Sequence, residues 1–345
     1  MLAVGGVDLD SLEAMHAAAA LNEMFHLDEE HREGRRPVTV GEWLDAIVDA
    51  QSGPVPCVTV MTSGSTGRPK PCTHRVDDLH EEVAHYASVL PPVRRVIALV
   101  PAHHIYGLIW TALLPAALGV PVVDATTITM PEIRAGDLIV AVPDQWRALS
   151  RSRRPCPPGV TGASAGAPLE NGLADDVLAW GVGRLYDVYG SSETAGVATR
   201  EASQAWYSLL PRWRFAAAAN EAAPVLVDRR GHEMPLPDRI ALGADGRFLL
   251  AGRHDGAVQV GGVNVWPDRV AEVLRTCPGV GDVAVRLGSE GRLKAFVVPS
   301  ASGDGLREQL HRHASRLLRS EQRPTSYAFG DRLPQNALGK KSDWL

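Results

Sequence analysis

The sequence predicts an α/β protein: a large domain with a mainly parallel central sheet, residues 1–251, followed by a small α+β domain, residues 252–345. Three observations carry that expectation. From Val55 onward, short runs rich in Val and Ile alternate with helical patterns, as strands covered on both faces by crossover helices do. After about Glu233 the rhythm changes to alternating segments joined by Gly turns, the pattern of hairpins. A chain of 345 residues also exceeds the usual span of one domain.

In chain order, "LEAMHAAAALNEMF" (Leu12 to Phe25) is rich in Ala and Leu and predicts a helix. The polar "HLDEEHREGRRPVT" separates it from a second helical pattern, "VGEWLDAIVDA". A strand is expected in "CVTVM", a helix around Asp78 to Leu90, and a strand in "RVIALVP". A helix within Gly107 to Ala117 precedes strands in "VPVVDA" and "DLIVAVP". "GVTGASAG", "LADDVLAWG" and "RLYDVYG" continue as strand, helix and strand, and "PVLVDRRGHE" as strand, turn, strand. "RIALGADGRFLLAGRHDGAVQVGG" predicts hairpins, with the domain boundary near Gly252. Then come a helix in "PDRVAEVLRTCPGV", two strands in "GDVAVRLGSEGRLKAFVVP" and a helix in "GLREQLHRHASRLL".

Bulk properties narrow the classes of function. A hydrophobic content of 45% and a charged content of 22% suit a folded chain with a real core. A net charge of -5 offers no electrostatic grip on nucleic acid or on an anionic membrane. The uncharged stretch from Ile105 to Val123 approaches bilayer length, but Gly107, Pro115, Gly119 and Pro121 interrupt it. It predicts a buried helix, a turn and a buried strand at "VPVVD" instead of a membrane span. No basic segment precedes an apolar run near Met1, so a cytoplasmic location is expected. Cys57, Cys72, Cys156 and Cys277 are scattered without metal or redox spacing and predict reduced thiols. "RSRRP" (Arg151 to Pro155) predicts a solvated loop, and a homodimer is allowed but not specified.

The stretch "TSGSTGRPK" follows the "CVTVM" strand. Successive N–H groups in a Gly/Ser turn form an anion-binding concavity, and Lys70 adds a mobile positive charge suited to a polyphosphate. The glycines alone fit a bland surface loop better. The spacing is neither the nucleoside triphosphatase loop nor the dinucleotide fingerprint.

Further strings follow: "PAHHIYGL", "GASAGAPL", "YDVYGSSETAG", "LPDRIALGADG", "GRHDGAVQVGG" and "LPQNALGKKSDW". Together with the Gly-rich loop, and in this order, they resemble the adenylate-forming enzymes. That superfamily holds acyl- and aryl-CoA synthetases, peptide-synthetase adenylation domains and luciferases. The resemblance runs from about Cys57 to the end. It implies a large ATP- and acid-binding domain and a mobile α+β lid bearing a catalytic lysine. A carboxylate attacks the α-phosphate of ATP, and a thiol then attacks the acyl adenylate. Two anions must meet in the first step, so cations and N–H donors are needed to cancel their repulsion.

By that resemblance Thr62, Ser63, Gly64, Ser65, Thr66, Gly67 and Lys70 cradle the phosphates. Gly162, Ala163 and Ser164 belong to the segment packed against adenine, and Tyr186, Asp187, Tyr189, Gly190, Ser191 and Ser192 to the next nucleotide motif. Asp238 takes the ribose hydroxyls, as a bidentate carboxylate can, and Arg253 approaches the ribose or phosphate. Glu193 holds Mg²⁺ on the phosphates, since a hard cation needs few protein oxygens beside those of ATP. Lys340 bridges the acid carboxylate and the α-phosphate, and Asp255 is the hinge. His104, Tyr106, Gly107, Gly190 and Ala195 line the acid pocket. His104 joins Lys340 and Glu193 among the catalytic positions as a gate, not as a base. Plainer readings exist: Lys340 as an exposed lysine, Glu193 as a helix-capping charge, Asp238 and Arg253 as an interdomain ion pair.

The departures matter too. Only 61 residues precede Thr62, fewer than the family places there, so the resemblance implies a reduced large domain. Ser192 stands for the usual Thr, Pro237 for Gly and Gln259 for a common Lys, while Arg269 and Ala271 replace glutamates. A reduced domain offers less surface for CoA, which favours the phosphopantetheine thiol of an acyl carrier protein as acceptor. Free CoA is the alternative, and a nucleotide- or carrier-binding module without turnover a further one. A compact pocket suits a small, hydroxybenzoate-like aromatic acid. Short ligases of aryl-polyene and xanthomonadin-type pigment clusters resemble this description.

Overall fold

The computed structural model describes residues 11–27, 37, 39–62, 70–126, 131–216, 223–253, 256–261, 263–288, 290–300, 305–334 and 344. Two helices come first, α1 (Ser11–Phe25) and α2 (Val40–Gln51). A capping box starts α2: Thr39 Oγ1 accepts from the Glu42 N–H at 3.2 Å, and Glu42 Oε2 accepts from the Thr39 N–H at 2.9 Å. The strands β1 (Cys57–Thr62) and β2 (Lys70–Arg75) form an antiparallel pair. Inward Cys72 and His74 alternate with exposed Thr73 on β2. On the helix α3 (Val76–Val89), Leu79, Glu82, Val83 and Tyr86 form one buried stripe at helical spacing.

The strand β3 (Arg95–Ala98) leads into α4 (Ile105–Gly107), a π-helical stretch over Leu108–Leu113, and α5 (Leu114–Leu118). Gly119, at φ 65°, ends α5 in the left-handed conformation that spares glycine a Cβ penalty. After β4 (Val122–Asp124) come β5 (Asp137–Ala141), α6 (Pro143–Ser150), β6 (Thr161–Ser164), α7 (Asn171–Trp180) and β7 (Arg184–Ser191). The strands β8 (Ala195–Glu201) and β9 (Ser208–Leu209) complete a seven-stranded sheet in the order β4-β3-β5-β6-β7-β8-β9. Its first five strands are parallel and the last two pairings antiparallel, so the expected mainly parallel sheet is present.

The uncharged stretch is a correction in part. Its helical portion is buried, with Trp110 and Leu114 in the core, but β4 is a sheet edge and Val122 is 42% exposed. An apolar run signals burial only when another strand or helix covers both faces, and among the described residues β4 has no outer neighbour. Among the described residues no helix is long and apolar enough to cross a membrane. The four thiols are free, and Arg151 to Pro155 are exposed, both as expected.

Antiparallel elements follow: β10 (Arg214–Phe215), β11 (Val225–Val227) and β12 (Glu233–Pro235) in one sheet, and β13 (Asp238–Leu242) with β14 (Phe248–Arg253) in a hairpin. Then come the hairpin of β15 (Val258–Val260) and β16 (Val263–Val265), the helix α8 (Pro267–Arg275), β17 (Val280–Leu287), β18 (Leu293–Pro299), α9 (Leu306–Leu317) and β19 (Ser326–Phe329). Proline at the first turn of α8 loses no hydrogen bond there and presets the helical φ. Val265, Leu274, Leu293, Val297, Leu310 and Tyr327 build a core among these last elements. Each fully buried aliphatic side chain there contributes about 1.5–3 kcal/mol. The result is a large mixed-sheet region followed by a smaller α+β region.

Candidate active site

In an open parallel sheet, ligands bind outside the carboxyl ends of the strands, at the point where strand order reverses. Here the chain leaves β3 for β4 on one side and returns to β5 on the other, which sets that point between β3 and β5. His104 and Tyr106 lie just beyond β3, and the Tyr106 hydroxyl donates to the carbonyl of Ala141 at the end of β5, at 3.3 Å. Burial, then the charge of Asp187, holds the Tyr106 phenol well above its ordinary pKa. His104 caps α4 with its ring 4.3 Å from that of His103. Partial desolvation, and secondarily His103, lowers its pKa and favours the neutral ring. Gly107 is required sterically: a Cβ there would lie 2.0 Å from the carbonyl oxygen of Pro101.

The turn between β7 and β8 is the most heavily tied part of the site. Ser191 and Thr194 bind each other: the Ser191 N–H donates to Thr194 Oγ1 at 3.0 Å, and the N–H groups of Glu193 and Thr194 donate to Ser191 Oγ at 3.2 Å. Ala195 adopts φ 54°, a left-handed backbone rare for a residue with a side chain. A Cβ on Gly190 would come within 2.2 Å of the Ala195 carbonyl oxygen, so only glycine fits opposite. The turn satisfies its own polar groups and leaves the Glu193 carboxylate exposed at its tip.

Long-range partners grip the same turn from below. His74 Nε2 lies 2.7 Å from the carbonyl of Ser192, and burial lowers the pKa of that imidazole, leaving it neutral as an N–H donor. Both carboxylate oxygens of Glu82 accept from the Gly196 N–H, at 3.0 and 3.1 Å, and Tyr86 donates to Glu82 at 3.1 Å. Arg212 Nη2 donates to the Thr194 carbonyl, and Trp213 Nε1 to that of Gly196 at 2.8 Å. A Cβ on Gly196 would stand 2.2 Å from Glu82 Oε1. None of these partners is a motif residue. Glu82 did leave a trace in the sequence: a carboxylate in the apolar stripe of Leu79, Val83 and Tyr86.

Thr62 and Lys70 are cross-strand partners, so the ends of the Gly-rich loop meet at the mouth of the β1–β2 pair. Lys70 is exposed. Cys72 feels both Glu193 and Lys70: burial first, then Glu193, pushes its thiol up to about 11 against the pull of Lys70. His74, four residues beyond Lys70 on β2, reaches the Ser192 carbonyl, so this strand lies against the β7–β8 turn. Ser63, Gly64, Ser65, Thr66, Gly67, Asp255 and Lys340 lie outside the described residues.

Tyr189, Asp238 and Arg253 converge. The Tyr189 hydroxyl donates to Asp238 Oδ2 at 2.7 Å, and Asp238 pairs across the hairpin with Arg253. Burial, then Asp238, raises the Tyr189 pKa, so the phenol remains a donor. Asp238 is half-buried.

The remaining motif residues sit deeper. Asp187 is 2% exposed and accepts from the Tyr207 hydroxyl at 2.6 Å and from Arg200 Nε at 3.0 Å. Tyr186 turns towards the carbonyl of Val89 at 3.4 Å. Gly162 and Ala163 are inside the sheet; a Cβ on Gly162 would strike Leu185 and Trp146 at 2.7–2.8 Å, and Trp146 Nε1 donates to the Ala163 carbonyl at 3.1 Å. Ser164 ends β6, fully buried, its Oγ without a partner among the described residues. Ala195 is buried beside Gly190.

The model for AMP-binding enzymes matches residues 10–247, more than half of the sequence. The chain belongs to the AMP-binding enzyme family. It is an ATP-dependent enzyme of the acyl- or aryl-adenylate-forming kind, as the ordered motifs imply. The chain is similar to a 4-coumarate–CoA ligase of Rhodobacter capsulatus, 38% identical over 355 residues, covering 98% of this chain and 90% of that protein. A 4-coumarate–CoA ligase of Halorhodospira halophila is 38% identical over 342 residues, covering 96% and 87%. Among solved structures, the amide bond synthetase McbA of Marinactinospora thermotolerans shares the fold, with a TM-score of 0.62 and 19% identity over 82% of this chain and 67% of that one.

A magnesium ion is implied by this chemistry, and the residues fit one. Among the described residues no cluster of three or more His, Cys, Asp or Glu could hold a metal alone. One exposed carboxylate, Glu193, on a turn whose polar groups are already satisfied, suits a hard cation that keeps waters and takes its other oxygens from phosphates.

Proposed function

We propose that this enzyme adenylates an aryl carboxylic acid of the hydroxycinnamate or hydroxybenzoate class and transfers the acyl group to the thiol of free CoA. The observation that carries this reading is the 38% identity, over nearly the whole chain, to ligases named for 4-coumarate and CoA. The motif sequence favoured a carrier protein because the large domain is short. A relative named for CoA is matched over 90% of its length, so shortness does not count against CoA. No finding supports the pigment-cluster link, and the acid class is taken from the relatives.

In this reading the residues divide the work as follows. A carboxylate oxygen of the acid attacks the α-phosphorus, the bond to pyrophosphate breaks, and the CoA thiol then attacks the acyl carbon and displaces AMP. Tyr189 orients Asp238 to accept from the ribose hydroxyls, and Lys70 meets the departing pyrophosphate. Lys340, on the 252–345 lid, neutralises the acid carboxylate and the phosphate as they approach. The gain is electrostatic, because fixed charges in a site closed to water need no reorganisation. Magnesium, when bound, supplies further charge neutralisation on the phosphates. His104 and Tyr106 border the acid pocket in this reading, and at Gly107 and Gly190 a Cβ would strike neighbouring backbone.

The test is pyrophosphate release with ATP, Mg²⁺ and a panel of aryl and short aliphatic acids. Free CoA and several phosphopantetheinylated carriers are then offered to the adenylate. Acid-dependent release with thioester on CoA is expected. Thioester only on a carrier would move the acceptor to carrier protein, and ATP binding without release for any acid would leave a non-catalytic module.

A further inference from the structure

We propose that Glu82 is a positioning residue that fixes the Ser192–Glu193 turn for metal-bound ATP, acting through the backbone of Gly196. This rests on the assignment of Glu193 to the metal. Glu82 is 2% exposed, and its carboxylate reaches across 114 residues to take the Gly196 N–H with both oxygens. Arg212, 8% exposed, holds the Thr194 carbonyl two residues earlier and supplies the charge opposite Glu82. Trp213 carries the guanidinium against its ring at 4.6 Å and binds the Gly196 carbonyl. Thr194 and Gly196 are thereby pinned on either side of Ala195, whose left-handed φ reverses the chain.

A buried carboxylate is a poor stabiliser: burial raises the pKa of Glu82, against the opposing pull of Arg212, the Gly196 N–H and Tyr86, and apolar residues of the same volume serve stability as well or better. What a carboxylate adds at position 82 is direction: it fixes the Gly196 N–H in space and, with Arg212, the path of the chain back to Glu193. Tyr86 satisfies a further lone pair, so the carboxylate cannot swing away without losing several bonds at once. Partners that orient a metal ligand from behind are worth about 10–100-fold in metal affinity or activity.

The test compares the full chain with Glu82→Gln, Glu193→Gln and the double variant. It measures Mn²⁺ binding to the ATP-loaded protein by electron paramagnetic resonance, thermal melting, and kcat and KM for pyrophosphate release. Glu82→Gln is expected to melt near the parent, weaken Mn²⁺ binding about 10–100-fold, lower kcat and leave the acid KM unchanged. On the Glu193→Gln background the same change should do little more, because coupled groups are not additive. Parental Mn²⁺ affinity in a folded Glu82→Gln protein, or full additivity with Glu193→Gln, would overturn the proposal. If Glu193→Gln itself binds Mn²⁺ and turns over like the parent, the metal assignment falls and takes the proposal with it. Should Glu82→Gln not fold, Tyr86→Phe removes one donor to Glu82 and is expected to weaken Mn²⁺ binding severalfold; unchanged binding would count as refutation.

Discussion

The two ends of the parallel strands use carboxylates in opposite ways. At the amino ends of β3 and β5, Asp137 is 2% exposed and chelated by Arg95, at 3.0 and 2.6 Å, with a further bond from the Arg134 N–H at 2.8 Å. At the carboxyl ends, Glu193 is exposed and Asp238 half-buried, the latter oriented by Tyr189. Asp187, on β7 four residues before the turn residue Ser191, behaves like Asp137: Arg200 and Tyr207 bind it, although burial still raises its pKa. Acids whose oxygens are consumed by buried cations hold the sheet together. Glu193, exposed at the turn, and Asp238, half-buried and bound by the Tyr189 hydroxyl, remain open to a ligand.

That contrast can be broken in order of expected effect. Arg95→Ala strands a buried carboxylate and is expected to destabilise by about 3–5 kcal/mol in denaturant unfolding, while the folded fraction keeps the parental KM for ATP. A shifted KM would blur the division between the two ends. Lys340→Ala is expected to lower kcat for adenylation about 100- to 1000-fold, without a change in melting temperature; parental adenylation would remove Lys340 from the mechanism. Asp238→Asn removes a charged acceptor for the ribose worth about 1.5–3 kcal/mol, read as a rise in the ATP dissociation constant by calorimetry at unchanged stability. Tyr189→Phe should show the same direction at about 1 kcal/mol, and an effect equal to that of Asp238→Asn would mean the tyrosine touches nucleotide itself. Smallest is a labelling difference. Cys72 and Cys156, both raised to about 11 by burial, should resist alkylation at pH 8, where half-exposed Cys57 reacts first.

Much of this was legible in the sequence. Helices such as α3 carry an apolar stripe, and strands such as "DLIVA" and "RLYDVYG" are long enough to stand out. The motif strings singled out Tyr189, Glu193 and Asp238 because their spacing is local, and Tyr189 and Asp238 meet in the structure. Shorter elements escaped: α6 has eight residues and buries its Trp146 beneath Gly162, a tertiary fact that no periodicity announces. The π-helical stretch after Gly107 and the close approach of Gly107 to Pro101 are likewise invisible in composition. His74, Glu82 and Arg212 reach the turn across 118, 114 and 18 residues, so no local pattern joins them to it. The "VPVVD" strand was placed correctly in sequence and wrongly in depth, because hydrophobicity cannot tell a central strand from an edge.

The most direct measurement is exchange of labelled pyrophosphate into ATP, with an aryl acid present and CoA absent. Reversible adenylation predicts acid-dependent exchange that Lys340→Ala and Asp238→Asn suppress and that folded Arg95→Ala retains. Release of ADP and phosphate instead, or exchange indifferent to the acid, would contradict attack at the α-phosphate.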